Sequence, residues 1–265
     1  MNNNLKKISD KIKRREIAFG TVVSLNDPEI SDILCSCGFD FIWIDSEHGP
    51  LDKNMVNMHI MAVRGRGAAS FVRVPWNDPV IVKPILDMGP SGIIFPYIRT
   101  ADEVKLAVSS CRYPPEGIRG FGPRRANNYS NMDSELYLES SKKEPWVIIQ
   151  IEHVDAVNNL DEILKVEGLD LIIIGPNDLA GSIGLTGQTG HPEVVRMLDE
   201  ISFKCKEAGM DFFPATGYGN IEGLSEWINR GACALAMDWD IGHLVSGGKR
   251  AIESAKKAIE SLEKK

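Results

Sequence analysis

Cysteine is scarce in this sequence and badly placed for joint work: Cys35, Cys37, Cys111, Cys205 and Cys233 are an odd set. No spacing among them matches a zinc site, so they read as small buried thiols suited to a reducing compartment. A basic surplus is also missing, since 30 Lys and Arg stand against 37 Asp and Glu, for a formal net charge of -7. Binding to a phosphate backbone requires the opposite balance, and nucleic acid is therefore not an expected partner. Long hydrophobic runs are absent too. No stretch reaches the roughly 18 apolar residues of a membrane span. The basic amino-terminal segment lacks the continuous apolar core and small-residue cleavage site of a secretory signal. Leu5, Ile8 and Ile12 instead mark one face of a short helix. These absences lead us to expect a cytoplasmic protein with no membrane partner.

What is present is a chain of 265 residues, 43% hydrophobic and 25% charged, enough to bury a substantial core. Short apolar runs alternate with longer amphipathic segments, the pattern of βα units that feed a parallel sheet. Eight such runs fall at 18–23, 39–45, 70–74, 92–96, 146–151, 169–174, 210–215 and 233–237. Helical patterns follow them, and Gly38, Gly89, Gly168, Gly209 and Gly231 each stand between a helix and the next strand, as left-handed caps do. Without a long linker or a composition shift, the pattern predicts an α/β fold, a single (β/α)8 TIM barrel domain over 1–265. The rival arrangement is an open, doubly wound sheet. The longest interruption, 112–145, lies between the fourth and fifth strands and carries Arg119, Arg124 and Arg125. Loops of this length are commonly functional; the alternative is a solvated loop whose arginines make structural ion pairs.

In a barrel, polar residues at the carboxyl ends of the strands face a shared pocket. Strand two runs into Asp45-Ser46-Glu47-His48, strand three carries Arg73, strand five ends in Gln150-Ile151-Glu152-His153, and strand six leads to Gly175-Pro176-Asn177-Asp178. Glu152 and Asp178 end adjacent strands, and two close carboxylates need a cation or a proton between them. A divalent metal such as Mg²⁺ or Mn²⁺ would satisfy them. They could equally share a proton, or Asp178 could cap a helix beginning near Leu179. His48 is a candidate general base because imidazole titrates near working pH, although a loop histidine bonded to a neighbouring acid is the plainer reading. Arg73, embedded in an apolar strand, needs an anionic or carbonyl partner. A 2-oxo acid would serve, as would Glu47 or Asp45. The Gly175-Pro176 turn offers backbone N–H groups to a carboxylate, and is also a common turn. His59, His153, His191 and His243 have no comparable setting.

Taken in order, several segments resemble the HpcH/HpaI family of metal-dependent pyruvate aldolases. They are IDSEHGPLD at 44–52, VRVPWNDP at 72–79, ILDMGPSGIIFPYIRTADE at 85–103, RYPPEGIRGFGP at 112–123, the stretch 150–184 and GHPEV at 190–194. The resemblance covers most of the chain. It implies a barrel in which Glu152 and Asp178 hold the divalent metal while pyruvate chelates it, with Gln150 lining the site. It implies that Arg73 stabilises the enolate, and that His48 with Asp45 activates a metal-bound water for proton transfer. Asp87 matches the family aspartate that reaches a neighbouring subunit's site. A homo-hexamer, a trimer of dimers with exchanged carboxy-terminal helices, is implied as well. Here that helix would present Ile252, Ala255, Ile259 and Leu262 on one face.

The reaction implied is cleavage or formation of a 4-hydroxy-2-oxo acid, with pyruvate and an aldehyde as the small-molecule partners. Metal chelation by the oxo acid supplies the electron sink, so no Schiff-base lysine is needed. After strand seven the sequence departs from the family pattern around Tyr218, Asp238 and Trp239, which leaves the aldehyde unspecified. Two rival functions are a CoA-thioester lyase of the citrate-lyase-like or malyl-CoA-lyase-like kind, and a barrel that binds a small acid without catalysis.

Overall fold

A computed structural model describes residues 3–217 and 220–263; Tyr218 lies outside the described residues. Eight strands form: β1 (Ala18–Val23), β2 (Phe41–Asp45), β3 (Ala69–Arg73), β4 (Gly92–Phe95), β5 (Trp146–Ile151), β6 (Leu171–Ile174), β7 (Phe212–Thr216) and β8 (Ala234–Trp239). Each pairs in parallel with its sequence neighbours, and β8 returns to pair with β1. The sheet is a closed (β/α)8 barrel, so the open-sheet alternative is excluded.

The continuous apolar strand runs follow from burial on both faces. Phe41, Trp43, Phe71, Ile94, Ile148, Leu171, Ile173 and Phe213 fill the barrel interior. The alternating residues Ile42, Ile44, Val72, Ile93, Val147, Ile149, Ile172 and Ile174 join the layer between sheet and helices. Within the interior the Phe41 ring meets Phe71 at 5.2 Å and Phe213 at 5.4 Å between centroids. The first helix, α1 (Asn3–Lys13), adds Leu5 and Ile8 to the interior cluster beside Ala18, Phe41, Ala69 and Ala234, residues that begin strands. It thereby closes the amino-terminal end of the barrel. Lys11 fixes it there through a 2.6 Å contact with Asp40, whose carboxylate also accepts the Phe19 N–H.

Beyond the strand ends, side chains start the helices. Asp27 caps α2 (Pro28–Ser36), Asp52 caps α3 (Lys53–Gly65) and Asp78 caps α4 (Pro79–Asp87), each accepting a first-turn N–H. Thr100 and Glu103 form a reciprocal capping box on α5 (Ala101–Cys111). The expected glycine caps all have positive φ, from 68° at Gly209 to 100° at Gly38. The long connection before β5 holds a helix that periodicity did not predict, α6 (Ser134–Ser141), started by Asp133. The helical segment after β5 breaks at Asn159 into α7 (Val154–Asn158) and α8 (Leu160–Ile163). Then come α9 (Pro176–Ser182), α10 (Pro192–Glu207), α11 (Ile221–Arg230) and α12 (Asp240–Glu263).

The last of these is anchored only at its start. Asp240, 1% exposed, accepts the N–H groups of Ser24 and Leu25. Its distal half carries Ile252, Ile259 and Leu262 at 60%, 56% and 71% exposure, an apolar face that its own barrel does not cover. Among the described residues no helix is long and apolar enough to cross a membrane.

Candidate active site

Arg73 stands at the end of β3 in register with Asp45 at the end of β2. A cation at the end of an apolar strand must be paired, and Asp45 does this on two prongs. Nε donates to Oδ1 at 3.0 Å and Nη2 to Oδ2 at 2.5 Å. The third nitrogen, Nη1, lies 3.3 Å from Gln150 Oε1 and 2.9 Å from Glu47 Oε2. The Glu47 contact is an ion pair without aligned hydrogen-bond geometry. Beneath the guanidinium sits the Trp43 ring, 4.9 Å from centroid to Cζ, a favourable cation–π arrangement. Arg73, Asp45, Gln150 and Glu152 are all buried. Bidentate geometry of this kind is the strong form of a charge-assisted contact, and the pair leaves the Nη1 edge as the one turned towards Gln150 and Glu47.

Gln150 carries the network on to β5, its Nε2 donating to Glu152 Oε2 at 2.9 Å. The other carboxylate oxygen accepts the backbone N–H of Tyr97 at 2.7 Å. Tyr97 makes this bond from a left-handed backbone conformation, φ 57°, unusual for a bulky residue. Space for the carboxylate comes from Gly175, where a Cβ would stand 2.7 Å from Glu152 Oε2. Glycine is thus required by close approach, apart from any role of the turn.

Burial pushes the Glu152 carboxyl up to about 7, and the negative charges of Asp178 and Glu47 add to the effect; the Tyr97 N–H and Arg73 oppose it. Glu47 is also raised, chiefly by burial, with Asp45 and Asp178 contributing and Arg73 and His48 opposing. Three carboxylates therefore sense one another across the mouth. Asp178 is exposed in the first turn of α9. That helix begins at Pro176, so Asp178 lies inside its first turn, and it carries no side-chain cap. Asp178 is thus no cap, and its carboxylate is left open to other work. Asn177 beside it is exposed too.

The structure separates two residues that the family resemblance joins. Asp45 spends its carboxylate on Arg73 and on the backbone N–H groups of Glu47 and His48. The exposed imidazole of His48 faces Glu47 instead, Nε2 to Oε2 at 3.6 Å. Asp87, at the end of α4, has Arg119 as its partner, Nη2 to Oδ1 at 3.3 Å. Glu47 is a member of the cluster that the sequence suggested only as a partner for Arg73. Trp43 and the Tyr97 N–H were not anticipated. Trp43 reads as one more apolar residue of its strand, and nothing in the letters PYI reveals a left-handed turn.

Among the described residues no group of three or more His, Cys, Asp or Glu converges on a metal-sized point. The donors at hand are two carboxylates, Glu152 and Asp178. Such a pair suits a hard cation that keeps its remaining positions for water and substrate. Burial is the chief cause of the upward shift of Glu152, and the charges of Asp178 and Glu47, which a cation here would offset, add to it.

That shift has a consequence for stability. A glutamate that titrates near 4.5 when unfolded and near 7 when folded holds a proton in the native state that the unfolded chain has already lost. Its stabilising contribution is full below pH 4.5 and is lost as pH rises through 7, on the order of 3 kcal/mol in all. In EDTA, urea unfolding should show stability declining across this window, and Glu152→Gln should flatten the decline. An unchanged slope in the variant would refute the assignment.

A barrel with an Arg–Asp pair, an amide and buried acid at its mouth can be set beside known proteins. The family model described as HpcH/HpaI aldolase/citrate lyase matches residues 19–246. The 5-keto-4-deoxy-D-glucarate aldolase of Escherichia coli K12 is 33% identical over 268 residues, which cover 97% of this chain and 100% of the relative. Two solved structures superpose closely. An HpcH/HpaI aldolase from Desulfitobacterium hafniense has a TM-score of 0.86 at 27% identity, over 94% of this chain and 96% of the other. An aldolase/citrate lyase family protein from Burkholderia cenocepacia has a TM-score of 0.88 at 27% identity, over 95% and 99%. The match runs through every strand of the barrel, and this chain belongs to the HpcH/HpaI aldolase/citrate lyase family.

Proposed function

We propose that the chain is an aldolase, a carbon–carbon lyase that cleaves or forms 4-hydroxy-2-oxo acids with pyruvate as the constant product or donor. The observation that carries this reading is Arg73, clamped by Asp45 and facing Gln150, which in turn donates to Glu152. Cleavage removes the proton of the 4-hydroxyl, breaks the C3–C4 bond and leaves the electron pair on the pyruvate fragment as its enolate. The Nη1 edge of Arg73 is positioned to donate to the developing enolate oxygen, where charge-stabilising donors contribute most. His48 takes the hydroxyl proton, and Glu47, on which its imidazole rests, supports the charge it gains. Asp45 is then a positioning residue that acts through Arg73. The first-turn N–H groups of Asn177 and Asp178, after Gly175 and Pro176, receive the substrate carboxylate.

Glu152 and Asp178 would hold a magnesium or manganese ion, which when bound supplies Lewis acidity to the oxygens of the oxo acid. The compound for which the E. coli relative is named, 5-keto-4-deoxy-D-glucarate, is a hydroxylated keto diacid. An acceptor aldehyde that carries a carboxylate follows by analogy.

Coupling candidate 4-hydroxy-2-oxo acids to lactate dehydrogenase measures this directly. Pyruvate release should cease in EDTA and return with Mg²⁺ or Mn²⁺. Arg73→Ala should lower turnover by about 10² to 10³, and Glu152→Ala or Asp178→Ala should abolish it. Release indifferent to chelation would contradict the metal requirement.

The uncovered apolar face of α12 supports a homo-oligomer in which this helix packs on a second copy, as in the hexamer that the family resemblance implies, with Asp87 reaching a neighbour's site. Light scattering should give a mass several times that of one chain, and ending the chain after residue 246 should reduce it. A monomer at full length would contradict this.

A further inference from the structure

A planar guanidinium makes hydrogen bonds along its edges and none from its faces. At Arg73 the edges are occupied, Nε and Nη2 by Asp45 and Nη1 by Gln150 and Glu47. What covers a face is decided one layer deeper in the barrel. Inward positions alternate along β2, so Trp43 stands beneath Asp45. Trp43 is 2% exposed and belongs to the interior cluster, with its ring 4.9 Å from Arg73 Cζ. One short strand therefore holds Arg73 twice, by an edge through Asp45 and by a face through Trp43.

Packing alone does not account for tryptophan at this place. Phe41, Phe71, Ile148 and Phe213, buried in the same interior, carry no polar side-chain atom. The Trp43 indole brings an N–H that is buried and has no hydrogen-bond partner among the described residues. A buried donor left unpaired is a cost that phenylalanine or leucine would avoid. What indole adds is the ring that attracts a cation most strongly, and the attraction grows when the contact is dry.

We infer that Trp43 is a positioning residue for enolate formation, acting through Arg73. The role rests on the aldolase reading of the site. The two parallel bonds to Asp45 act as a hinge along one edge of the guanidinium. Opposite that hinge, Gln150 stands at 3.3 Å and the Glu47 contact lacks aligned geometry, so neither stops the plane from rocking. The indole face beneath does. It keeps Nη1 turned towards the substrate oxygen on which charge develops. Because that charge appears in the transition state, a misaligned Nη1 lowers kcat more than it weakens pyruvate binding.

Exchange of the pyruvate methyl protons in D₂O with Mg²⁺, followed over a range of pyruvate concentrations, gives kcat and KM for this step. Trp43→Leu should lower kcat about tenfold or more, and Trp43→Phe, which keeps a weaker cation–π face, about threefold, each with KM changed by less than about twofold. Phe213→Leu removes a ring that packs on Phe41 in the same interior. It should lower the urea midpoint as Trp43→Leu does, yet leave kcat within about twofold of native. The proposal is overturned if both Trp43 variants exchange at the native kcat or raise KM alone. It is overturned too if Phe213→Leu loses as much kcat, which would make the loss a matter of core packing. Should Trp43→Leu not fold, Trp43→Phe decides, and a native kcat in that variant overturns the role. Absence of exchange in the native protein would contradict the aldolase reading itself, and the role of Trp43 with it.

Discussion

Arg73 enters the barrel mouth at the end of a strand that is otherwise apolar, and a guanidinium there must be held on every side. Asp45 takes two of its nitrogens, Gln150 and Glu47 meet the third, and Trp43 lies beneath it. Removing one member of such a buried pair leaves an uncompensated charge, at a typical cost of about 3 to 5 kcal/mol. The arrangement therefore constrains the ends of β2, β3 and β5 at once. The turn after β2 is tied down because Asp45 also receives the N–H groups of Glu47 and His48. The side chains of β5 are oriented because Gln150 passes the contact on to Glu152.

From that clamp outward, the site divides into a paired half and an unpaired half. Around Arg73, charges are matched. Around Glu152 they are not: burial and the nearby acids drive its carboxyl towards proton uptake, and the lack of a side chain at Gly175 leaves room for that carboxyl. The cation that we propose for Glu152 and Asp178 would supply the charge that offsets this burial and repulsion.

The barrel was legible in the sequence because βα units repeat their punctuation. Apolar runs, helix periodicity and the glycines before the strands all agree on the same eight strands. The rim residues Asp45, Arg73, Gln150 and Glu152 were legible for the same reason, since strand ends can be counted. The partner that each would choose could not be read. Asp45 lies three residues from His48 and 28 from Arg73 in the chain, yet it pairs with Arg73, because strand register outranks sequence proximity. The break at Asn159 is decided by backbone angles that the hydrophobic pattern does not encode. Tyr97 is set by its contact with Glu152, 55 residues away, and Asp87 by Arg119, 32 residues away. The apolar face of α12 was visible as a pattern; what covers it belongs to an assembly rather than to one chain.

The central claim is that this rim forms and stabilises the enolate of pyruvate, whatever aldehyde is paired with it. Proton exchange at the pyruvate methyl group in D₂O, followed by nuclear magnetic resonance, isolates that step because no aldehyde is required. With Mg²⁺ or Mn²⁺ the native protein should replace the methyl protons by deuterium, and Arg73→Ala should not. Pyruvate bound without any exchange would contradict the claim and leave a barrel that holds the acid but performs no chemistry on it.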